Sequence, residues 1–369
     1  MTASKVYFTD MRCKVGVSLL EKLDALMVQA GIQQIDFRDK YTAIKIHFGE
    51  PGNLAFLRPN FAKTVADRIK ALGGLPFLTD CNTLYVGRRN NALVHLDAAA
   101  ENGYFPLSTG CQNIIADGLK GTDDVEVPVE GGQYCKTALI GRAIMDADVV
   151  VSLNHFKGHE VTGFGGAIKN IGMGSGSRAG KMNMHCGGKV KVKAEVCVGC
   201  RICSRYCAQK AISFGAEGRA VVDVEKCVGC GRCIGTCNAH AISPASWSSG
   251  QDVNCRMTEY CKAVLSGRPG FHISVVNQVS PYCDCHGEND AAVVPDIGIF
   301  ASFDPVALDK ACIDAVNAAP GISSSILSER EHTHKDHFTD IHPDTDWKVQ
   351  IEYAEKIGLG TGRYELVTI

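Results

Sequence analysis

The chain has 369 residues, of which 45% are apolar and 21% charged, and its formal net charge is −2. This length predicts two or three domains, or one large domain with an insertion, around a sizeable core. The charge disfavours a dedicated nucleic-acid-binding protein, which would carry a basic domain. No apolar run approaches the roughly 18 residues of a membrane span, and the N-terminal residues lack a secretion-signal pattern. We therefore expect a cytoplasmic protein with no membrane span.

Cysteine is the unusual residue of this composition. The chain has 18 cysteines, and a large chain without a secretion signal has little use for a disulfide scaffold. The spacing of these cysteines instead points to metal binding.

Apolar periodicity predicts alternating helices and strands on both sides of residues 190–244. In chain order, the predicted elements are a helix at 17–30, a strand at 41–48, a helix at 61–72, a strand at 76–79, a helix at 89–102, strands at 113–116, 149–153, 271–279 and 297–301, and a helix at 305–318. Asp304 is the expected N-cap of the last helix. The strand–helix–strand order favours parallel pairing. We therefore predict an α/β fold, a mostly parallel-sheet scaffold formed by residues 1–188 and 246–369.

Residues 189–245 interrupt this alternation and contain an internal repeat. The segment EVCVGCRICSRYCAQKAIS at 195–213 aligns with EKCVGCGRCIGTCNAHAIS at 225–243. Each copy carries three cysteines at CxxCxxC spacing and a fourth after three further residues, and in such runs the fourth cysteine binds the other cluster. The predicted ligands of one [4Fe-4S] cluster are Cys197, Cys200, Cys203 and Cys237. Those of a second cluster are Cys227, Cys230, Cys233 and Cys207.

This repeat resembles the bacterial two-cluster ferredoxin domain, a small α+β insert of roughly 50 residues. The resemblance implies single-electron exchange with a redox partner protein or a low-potential electron donor. Ala208 and Asn238 stand where these ferredoxins have proline, which affects the turn after each run and leaves the ligands in place. A pair of zinc knuckles is the alternative, although zinc prefers well-separated CxxC pairs.

Polar side chains follow the predicted strands, and ligands gather at the carboxyl edge of a parallel sheet. These side chains are His47, Asp80, Cys81, Asp117, Asn154, His155, Ser302 and Asp304. As a set they predict one shared pocket, although single strands commonly end in polar turn residues.

The segment from residue 152 to residue 185 contains glycine-dense stretches, three histidines and four basic residues. Glycines at Gly165 and Gly166 let backbone N–H groups approach a ligand, and nearby cations favour an anionic one. We predict His155 or His159 as general acid, because imidazole titrates near neutral pH. Lys169 is predicted to neutralise the anionic group of a small-molecule substrate. His47, Asp80, Gly165, Gly166 and His185 are the predicted cofactor-binding residues of this pocket.

Cys283 and Cys285 form a dense pair of soft ligands in the sequence CDCH. They could provide two ligands for a third cluster or for another metal. The remaining ligands would then come from Cys81, Cys111, Cys255 or Cys261. The alternative is that they are small buried side chains. Two weaker patterns are a carboxylate clamp at Tyr85, Arg88 and Arg89, and a metal site or solvated loop at His332, His334, His337 and His342.

Several stretches resemble the family called domain of unknown function 362, whose members are often iron–sulfur proteins. They are IKIHFGEPGN, PFLTDCNTLYVG, DADVVVSLNHFKGHEVTGFGGAIKNIGMGSGSRAGKM and SPYCDCHGENDAAVVPDIGIFASFDPVALDKA. The resemblance spans nearly the full chain and implies cluster binding. It leaves the reaction open.

A more remote resemblance is to the nickel-pincer lactate racemases. Their pattern has a catalytic histidine, a GFxGGxK segment whose lysine tethers the cofactor, and a histidine that binds nickel. Here His159, the stretch at 163–166, Lys169 and His185 have a similar order and spacing. The resemblance implies a shared fold and pocket location, and leaves a flavin or nickel cofactor open. The racemases have no ferredoxin module.

The favoured function is a redox enzyme in which two clusters exchange electrons with a pocket of the α/β scaffold. One alternative is a pure electron carrier with a docking module. The other is a nickel-pincer-type isomerase in which the clusters have a structural role.

Overall fold

The structure is a computed structural model that describes residues 2–84, 87–186, 189–246, 248–330 and 336–369. Within these ranges the strands are β1 Ser4–Asp10, β2 Tyr41–Lys45, β3 Leu75–Asp80, β4 Gln112–Ile115, β5 Asp124–Pro128, β6 Thr137–Gly141, β7 Val149–His155, β8 Lys157–His159, β9 Gly163–Gly165, β10 Val190–Val192, β11 Ile212–Phe214, β12 Ala220–Val222, β13 Ile242–Pro244, β14 Gly270–Val276, β15 Gly298–Ser302 and β16 Tyr364–Thr368. The helices are α1 Leu19–Gln29, α2 Pro59–Ala71, α3 Ala92–Glu101, α4 Pro106–Thr109, α5 Arg142–Met145, α6 Ala167–Ser175, α7 Arg178–Cys186, α8 Ile202–Arg205, α9 Arg232–Gly235, α10 Gly250–Leu265, α11 Pro305–Ala318, α12 His337–Ile341 and α13 Lys348–Lys356. None of these helices is long and apolar enough to cross a membrane, a statement that covers only the described ranges.

A large mixed sheet forms the centre of the scaffold. Its strand order, over the residues described, is β16-β1-β15-β14-β7-β2-β3-β4. Five adjacent strands run parallel to one another, namely β4, β3, β2, β7 and β14. Strand β15 is antiparallel to both β14 and β1. The predicted α/β fold with a mostly parallel sheet is therefore confirmed.

Strand β7 lies in the middle of the sheet and is buried along its whole length. Val149 and Val151 face a core formed with α1 and α2, while Val150 faces a core formed with α6 and α10. Helices that cover both faces of a parallel sheet explain why this strand is a continuous apolar run. The layers place the carboxyl ends of the parallel strands at one open edge.

The predicted elements agree closely with the structure, and the expectation for the end of β15 is wrong. Helix α11 has the predicted bounds, and the Asp304 carboxylate accepts hydrogen bonds from the backbone N–H groups of Val306 and Ala307 at 2.9 and 3.1 Å. Because β15 is antiparallel to its neighbours, Ser302 and Asp304 lie at the opposite edge from the other strand ends. Their hydroxyl and carboxylate bind Lys5 and Ser4 at the start of β1.

Residues 190–244 form short antiparallel ribbons, in which β10 pairs with β13 and β11 pairs with β12. The sequence repeat is also a repeat of backbone conformation. Arg201 and Gly231 have φ angles of 64° and 65°, and Lys210 and His240 have φ angles of 50° and 52°. Non-glycine residues rarely adopt this left-handed conformation, so the matched angles indicate two copies of one folded unit.

Helix α6 is fixed to the scaffold by a carboxylate of α11. Asp309 accepts hydrogen bonds from the backbone N–H groups of Ala167 and Ile168 at 2.7 and 2.9 Å. A side chain at Gly166 would collide with this carboxylate. The glycine therefore allows the contact that positions α6, which carries Lys169.

We predict that Asp309→Asn removes a component of the pH dependence of stability. Burial raises the pKa of Asp309 to about 7, whereas an unfolded aspartate titrates near 4. The folded state therefore binds this proton more tightly, so the group's contribution to stability is greatest at low pH and is lost as pH rises through 7. Urea unfolding of the wild type and the variant should give a stability difference that changes by about 2 kcal/mol between pH 5.5 and 8. The surface variant Asp67→Asn is the control, and an unchanged difference for Asp309→Asn would contradict the assignment.

Candidate functional site

The two cysteine runs line two cavities within the described part of the chain. One cavity, of about 250 Å³, is lined by Cys207, Cys227, Cys230 and Cys233. The other is lined by Cys197, Cys200, Cys203 and Cys237. Each cavity therefore combines three cysteines of one run with the fourth cysteine of the other run.

Backbone N–H groups surround these sulfur atoms. Those of Ala211 and Ala241 donate to Cys207 and Cys237 at 3.2 and 3.3 Å, in equivalent positions of the two copies. The N–H group of Ala220 donates to Cys197 at 3.4 Å, and this bond is the main cause of that thiol's lowered pKa. Such donors stabilise the thiolate form, which is the form that binds metal.

Burial and the neighbouring cysteines raise the pKa of Cys233 to about 12. A thiol in this position stays protonated until a metal centre replaces its proton. Metal binding at Cys233 would therefore release this proton.

The two cavities differ in their relation to the scaffold. The cavity of Cys207, here called the scaffold-side cavity, is also lined by Gly121, Leu139 and Ala179. The cavity of Cys237, here called the outward cavity, is lined only by residues of the 190–244 segment among those the structure describes. A centre in the scaffold-side cavity would thus contact residues of the scaffold as well as residues of the 190–244 segment.

Helix α7 connects the scaffold-side cavity with the sheet edge. At its start, the Arg178 guanidinium lies against Gly235 of the second repeat and donates to the backbone oxygen of Thr83 at 3.1 Å. Met182 packs in the same apolar cluster as Cys233. At its end lies His185, about 10 Å along the helix axis from Arg178.

A pocket of about 580 Å³, here called the main pocket, lies at the sheet edge. Its lining includes His159, Lys169, Lys181, His185, Cys285 and His286. A smaller adjoining recess of about 60 Å³ is lined by His47, Asp80, Gly165 and Gly166, and shares Lys169 and Cys285 with the main pocket. Most of the predicted pocket residues are therefore neighbours in space.

Lys169 and Cys283 form the most strongly polarised contact of the site. The Lys169 Nζ atom lies 3.4 Å from the Cys283 sulfur. A hydrogen bond from the Cys285 thiol holds the pKa of Cys283 well below its usual value despite burial, and Lys169 acts in the same direction. Burial would lower the pKa of Lys169, but the two cysteines outweigh it and raise that pKa. The favoured charge state is a Cys283 thiolate between an ammonium group and the Cys285 thiol, whose own pKa is raised.

His159 donates toward this thiolate. Its Nδ1 atom accepts hydrogen bonds from the backbone N–H groups of Val161 and Thr162 at 3.0 and 3.1 Å. The proton of the neutral ring is therefore on Nε2, and the hydrogen bond from His159 contributes to the lowered pKa of Cys283. The ligand atoms of His159, Cys283 and Cys285 all lie within 4.8 Å of one another. His159 is therefore suited to donate a hydrogen bond from Nε2 to the Cys283 sulfur.

His155 is placed differently from the general acid that the sequence predicts. Its Nδ1 atom lies 2.9 Å from the Asp284 carboxylate and its Nε2 atom lies 2.8 Å from the Asn277 oxygen. Lys157 also binds Asp284, at 3.0 Å. His155 is not among the described residues that line the main pocket or the recess. It fixes the turn that carries Cys283 and Cys285, which is a positioning role.

His47 and Asp80 line the recess, but both are engaged by the protein. The Nδ1 atom of His47 accepts from the Gly49 N–H at 3.0 Å, and Arg89 lies 3.0 Å from its Nε2 atom. Burial and Arg89 hold the pKa of His47 well below its usual value. Asp80 forms a buried ion pair with Lys45 at 2.9 Å. These contacts hold both side chains in the wall of the recess, so neither is available to bind a cofactor or metal without losing a protein contact.

The weaker sequence patterns do not form separate sites in the described residues. Arg89 pairs with the protein's own Glu50 at 2.8 Å, Arg88 pairs with Glu101, and Tyr85 lies outside the described residues. His337 and His342 bind backbone oxygens, and His332 and His334 also lie outside the described residues. Of the four proposed additional thiol ligands, Cys111, Cys255 and Cys261 belong to different apolar cores. Cys81 lines the recess together with Cys285.

Sequence reasoning missed several residues of the site. Asp284 stands between the two cysteines that the sequence predicts as ligands. Its contacts with His155 and Lys157 show that it anchors the turn. Glu160 and His286 pair at 2.8 Å at the pocket wall, although 126 residues separate them. The alternating Cys-Asp-Cys pattern could have indicated that Asp284 points away from the two sulfurs.

A family model described as domain of unknown function (DUF362) matches residues 42–314. The match covers well over half of the chain, so the chain belongs to this family, as predicted. No curated protein matches the chain in sequence.

Two solved structures are similar to the chain at low identity. The lactate racemase apoprotein from Thermoanaerobacterium thermosaccharolyticum has 12% identity and a TM-score of 0.36, over 74% of this chain and 51% of the racemase chain. A structural-genomics protein from Thermotoga maritima has 13% identity and a TM-score of 0.39, over 81% of this chain and 58% of its own. The chain thus spans between half and three fifths of these two proteins.

We predict that Asp80→Asn destabilises the fold by about 3–5 kcal/mol, because it leaves the buried Lys45 ammonium without its counter-ion. Urea unfolding measures this loss. In Asp67→Asn the broken pair with Lys63 is exposed, so this control should lose at most about 1 kcal/mol. Equal losses of unfolding free energy in the two variants would contradict a larger contribution of the buried ion pair to stability.

Proposed function

We propose that this DUF362-family protein holds two [4Fe-4S] clusters in its outward and scaffold-side cavities and serves single-electron redox chemistry at the main pocket. The observation that carries the proposal is the reciprocal lining of the two cavities, three cysteines from one run and one from the other. A cubane cluster with four cysteine ligands needs such a set, and bacterial two-cluster ferredoxins distribute their ligands in this way. Zinc knuckles need no such exchange between runs.

The residues around the cavities support this assignment. Three sulfurs accept backbone N–H hydrogen bonds, which tune the potential of a bound cluster. When bound, the clusters supply single electrons. The outward cavity is formed by the 190–244 segment, and its Cys200 is exposed. An external redox partner would therefore meet the outward cavity. The scaffold-side cavity borders Ala179 of α7, the helix that also carries His185 of the main pocket.

The main pocket suits a small anionic substrate or a second cofactor. Lys169 and Lys181 provide two ammonium groups in its wall, and His159 carries a proton on Nε2 near the Cys283 sulfur. In this proposal the lysines orient the anionic group and His159 donates a hydrogen bond from Nε2. His155 with Lys157 holds the turn of Cys283 and Cys285 in place.

A nickel-pincer-type isomerase is the second candidate, and one observation favours it. His159, Lys169 and His185 line the same pocket in the order of the racemase pattern. Burial, Lys169 and His159 lower the pKa of His185 to about 3, so its imidazole is neutral and able to bind a metal. Nickel and a mass increase on the Lys169 peptide of native protein would support this candidate, and their absence would reject it.

Double variants test the reciprocal ligation of the clusters. Cys207→Ala with Cys230→Ala removes two ligands of one predicted cluster, so one cluster and about four irons per chain should remain. Cys207→Ala with Cys200→Ala removes two ligands from the same run but from different clusters, so both clusters should be lost or damaged. Iron and sulfide analysis with EPR of reduced, anaerobically purified protein measures the difference. Cys13→Ala, at an exposed cysteine far from both runs in sequence, is the control. The same iron content in the two double variants would contradict reciprocal ligation.

A further inference from the structure

Cys283 and Cys285 are neighbouring cysteines that the proposed cluster sites do not use, and Cys285 lines the main pocket. The backbone N–H of His286 donates to the Cys283 oxygen at 3.0 Å, which closes a tight turn with Asp284 and Cys285 at its centre. Residues i and i+2 of such a turn lie about 5–6 Å apart at Cα, a separation that a disulfide can span. The sulfurs are within 4.8 Å of each other.

The turn is held firmly at its central residue. Asp284 binds His155 and Lys157 through its carboxylate, and its backbone oxygen accepts from the Glu50 N–H at 2.9 Å. The Asn53 side chain donates to the backbone oxygen of His286, two residues further along, at 3.1 Å. With these anchors in place, the Cys283 sulfur lies against Lys169 and Cys285 lines the pocket.

The two sulfurs have different exposures. Cys285 lines both the main pocket and the recess, whereas Cys283 is 1% exposed and is not among the described residues that line either. Lys169 and His159 surround the buried sulfur with donors. The accessible thiol and the buried, cation-paired thiolate lie within 4.8 Å of each other, so a proton passed from Cys285 to Cys283 would make the accessible sulfur the nucleophile.

A metal site fits these residues less well. A neutral histidine binds metal through an unprotonated ring nitrogen, and the Nδ1 atom of His159 is occupied by two backbone donors while Nε2 carries the proton. Lys169 places a positive charge next to the same sulfur. Glu160 and His286, the other potential ligands near Cys285, pair with each other.

We propose that Cys283 and Cys285 form a redox-active dithiol that reduces a small disulfide bearing an anionic group in the main pocket. Lys181, and Lys169 once its thiolate partner is consumed, recognise the anionic group. This inference goes beyond the proposed function and depends on it only for the electrons that restore the dithiol.

The Cys285 thiol gives its proton to the Cys283 thiolate, and the Cys285 thiolate attacks one sulfur of the disulfide R–S–S–R, releasing a thiolate, RS⁻. That thiolate takes the proton from Cys283 and leaves as RSH. The Cys283 thiolate then attacks the Cys285 sulfur of the mixed disulfide, which forms the Cys283–Cys285 bond and releases a second RS⁻. Two electrons from a low-potential one-electron donor and one proton return the pair to thiolate and thiol.

The test uses glutathione disulfide as the probe with full-length protein purified without oxygen. In the wild type we expect two glutathiones released per chain and an internal disulfide that joins Cys283 to Cys285, seen by mass spectrometry after alkylation of free thiols. Cys283→Ser should stop at the mixed disulfide on Cys285, with one glutathione released. Cys285→Ser should reduce the release of glutathione at least 100-fold. Cys312, a fully buried cysteine of the core, is the internal control and should remain a free thiol throughout.

A second variant separates the chemistry from the fold. Lys169→Met leaves both sulfurs in place but removes the cation that stabilises the thiolate. Equilibration of the protein with dithiothreitol should show the disulfide form favoured at least tenfold more than in the wild type, a shift of about 30 mV. An unchanged equilibrium would contradict the role of Lys169.

The inference and the proposed function fail in different ways. Intact clusters by iron content and EPR, together with free Cys283 and Cys285 after exposure to the probe, would overturn the dithiol alone. Release of two glutathiones by protein that binds no clusters would overturn the proposed function and retain the dithiol. About twelve irons per chain, with Cys283 and Cys285 protected from alkylation by a third cluster, would also overturn the dithiol.

Discussion

The proposed chemistry depends on one constraint, that neither cysteine run can complete a cluster site by itself. Each cavity takes its fourth cysteine from the other copy of the repeat. The two copies must therefore fold against each other before either cavity exists. The pairing of β10 with β13 closes the segment on itself, so that it leaves and rejoins the scaffold at one place. This closure sets the scaffold-side cavity against Leu139 and Ala179, next to helix α7.

The scaffold supplies the second half of the arrangement. The parallel strands end at one edge, where the recess and the main pocket share Lys169 and Cys285. Helix α7 runs from the second repeat to this pocket and carries Arg178 at one end and His185 at the other. The site is thus formed where the sheet edge, the Cys283–His286 turn and α7 meet. Charge is balanced locally, because ammonium groups face a thiolate and buried carboxylates.

Much of this organisation could be predicted from the sequence, because its signals are local. The cysteine spacing lies within two short runs, and the strands of the parallel sheet are short apolar runs that end in polar residues. The N-cap at Asp304 could be predicted because this residue directly precedes the helix that it caps. The family resemblance, carried by stretches along the whole chain, was confirmed by the match to residues 42–314.

The remaining features depend on contacts between distant residues. The direction of β15 is set by pairing with β14 and β1, so the placement of Ser302 and Asp304 could not follow from their own strand. His155 and Asp284 are 129 residues apart, and their contact changes His155 from a predicted acid to a positioning residue. Asp309 looks like an ordinary helix residue until its hydrogen bonds to α6 are seen.

Metal analysis of native protein tests whether the two cavities hold [4Fe-4S] clusters. Protein assembled in cells and purified without oxygen should contain about eight irons and eight sulfides per chain, with two reducible spins by quantified EPR. One or two zinc ions per chain without acid-labile sulfide would contradict the account, because the paired cavities would then hold zinc and supply no electrons to the pocket.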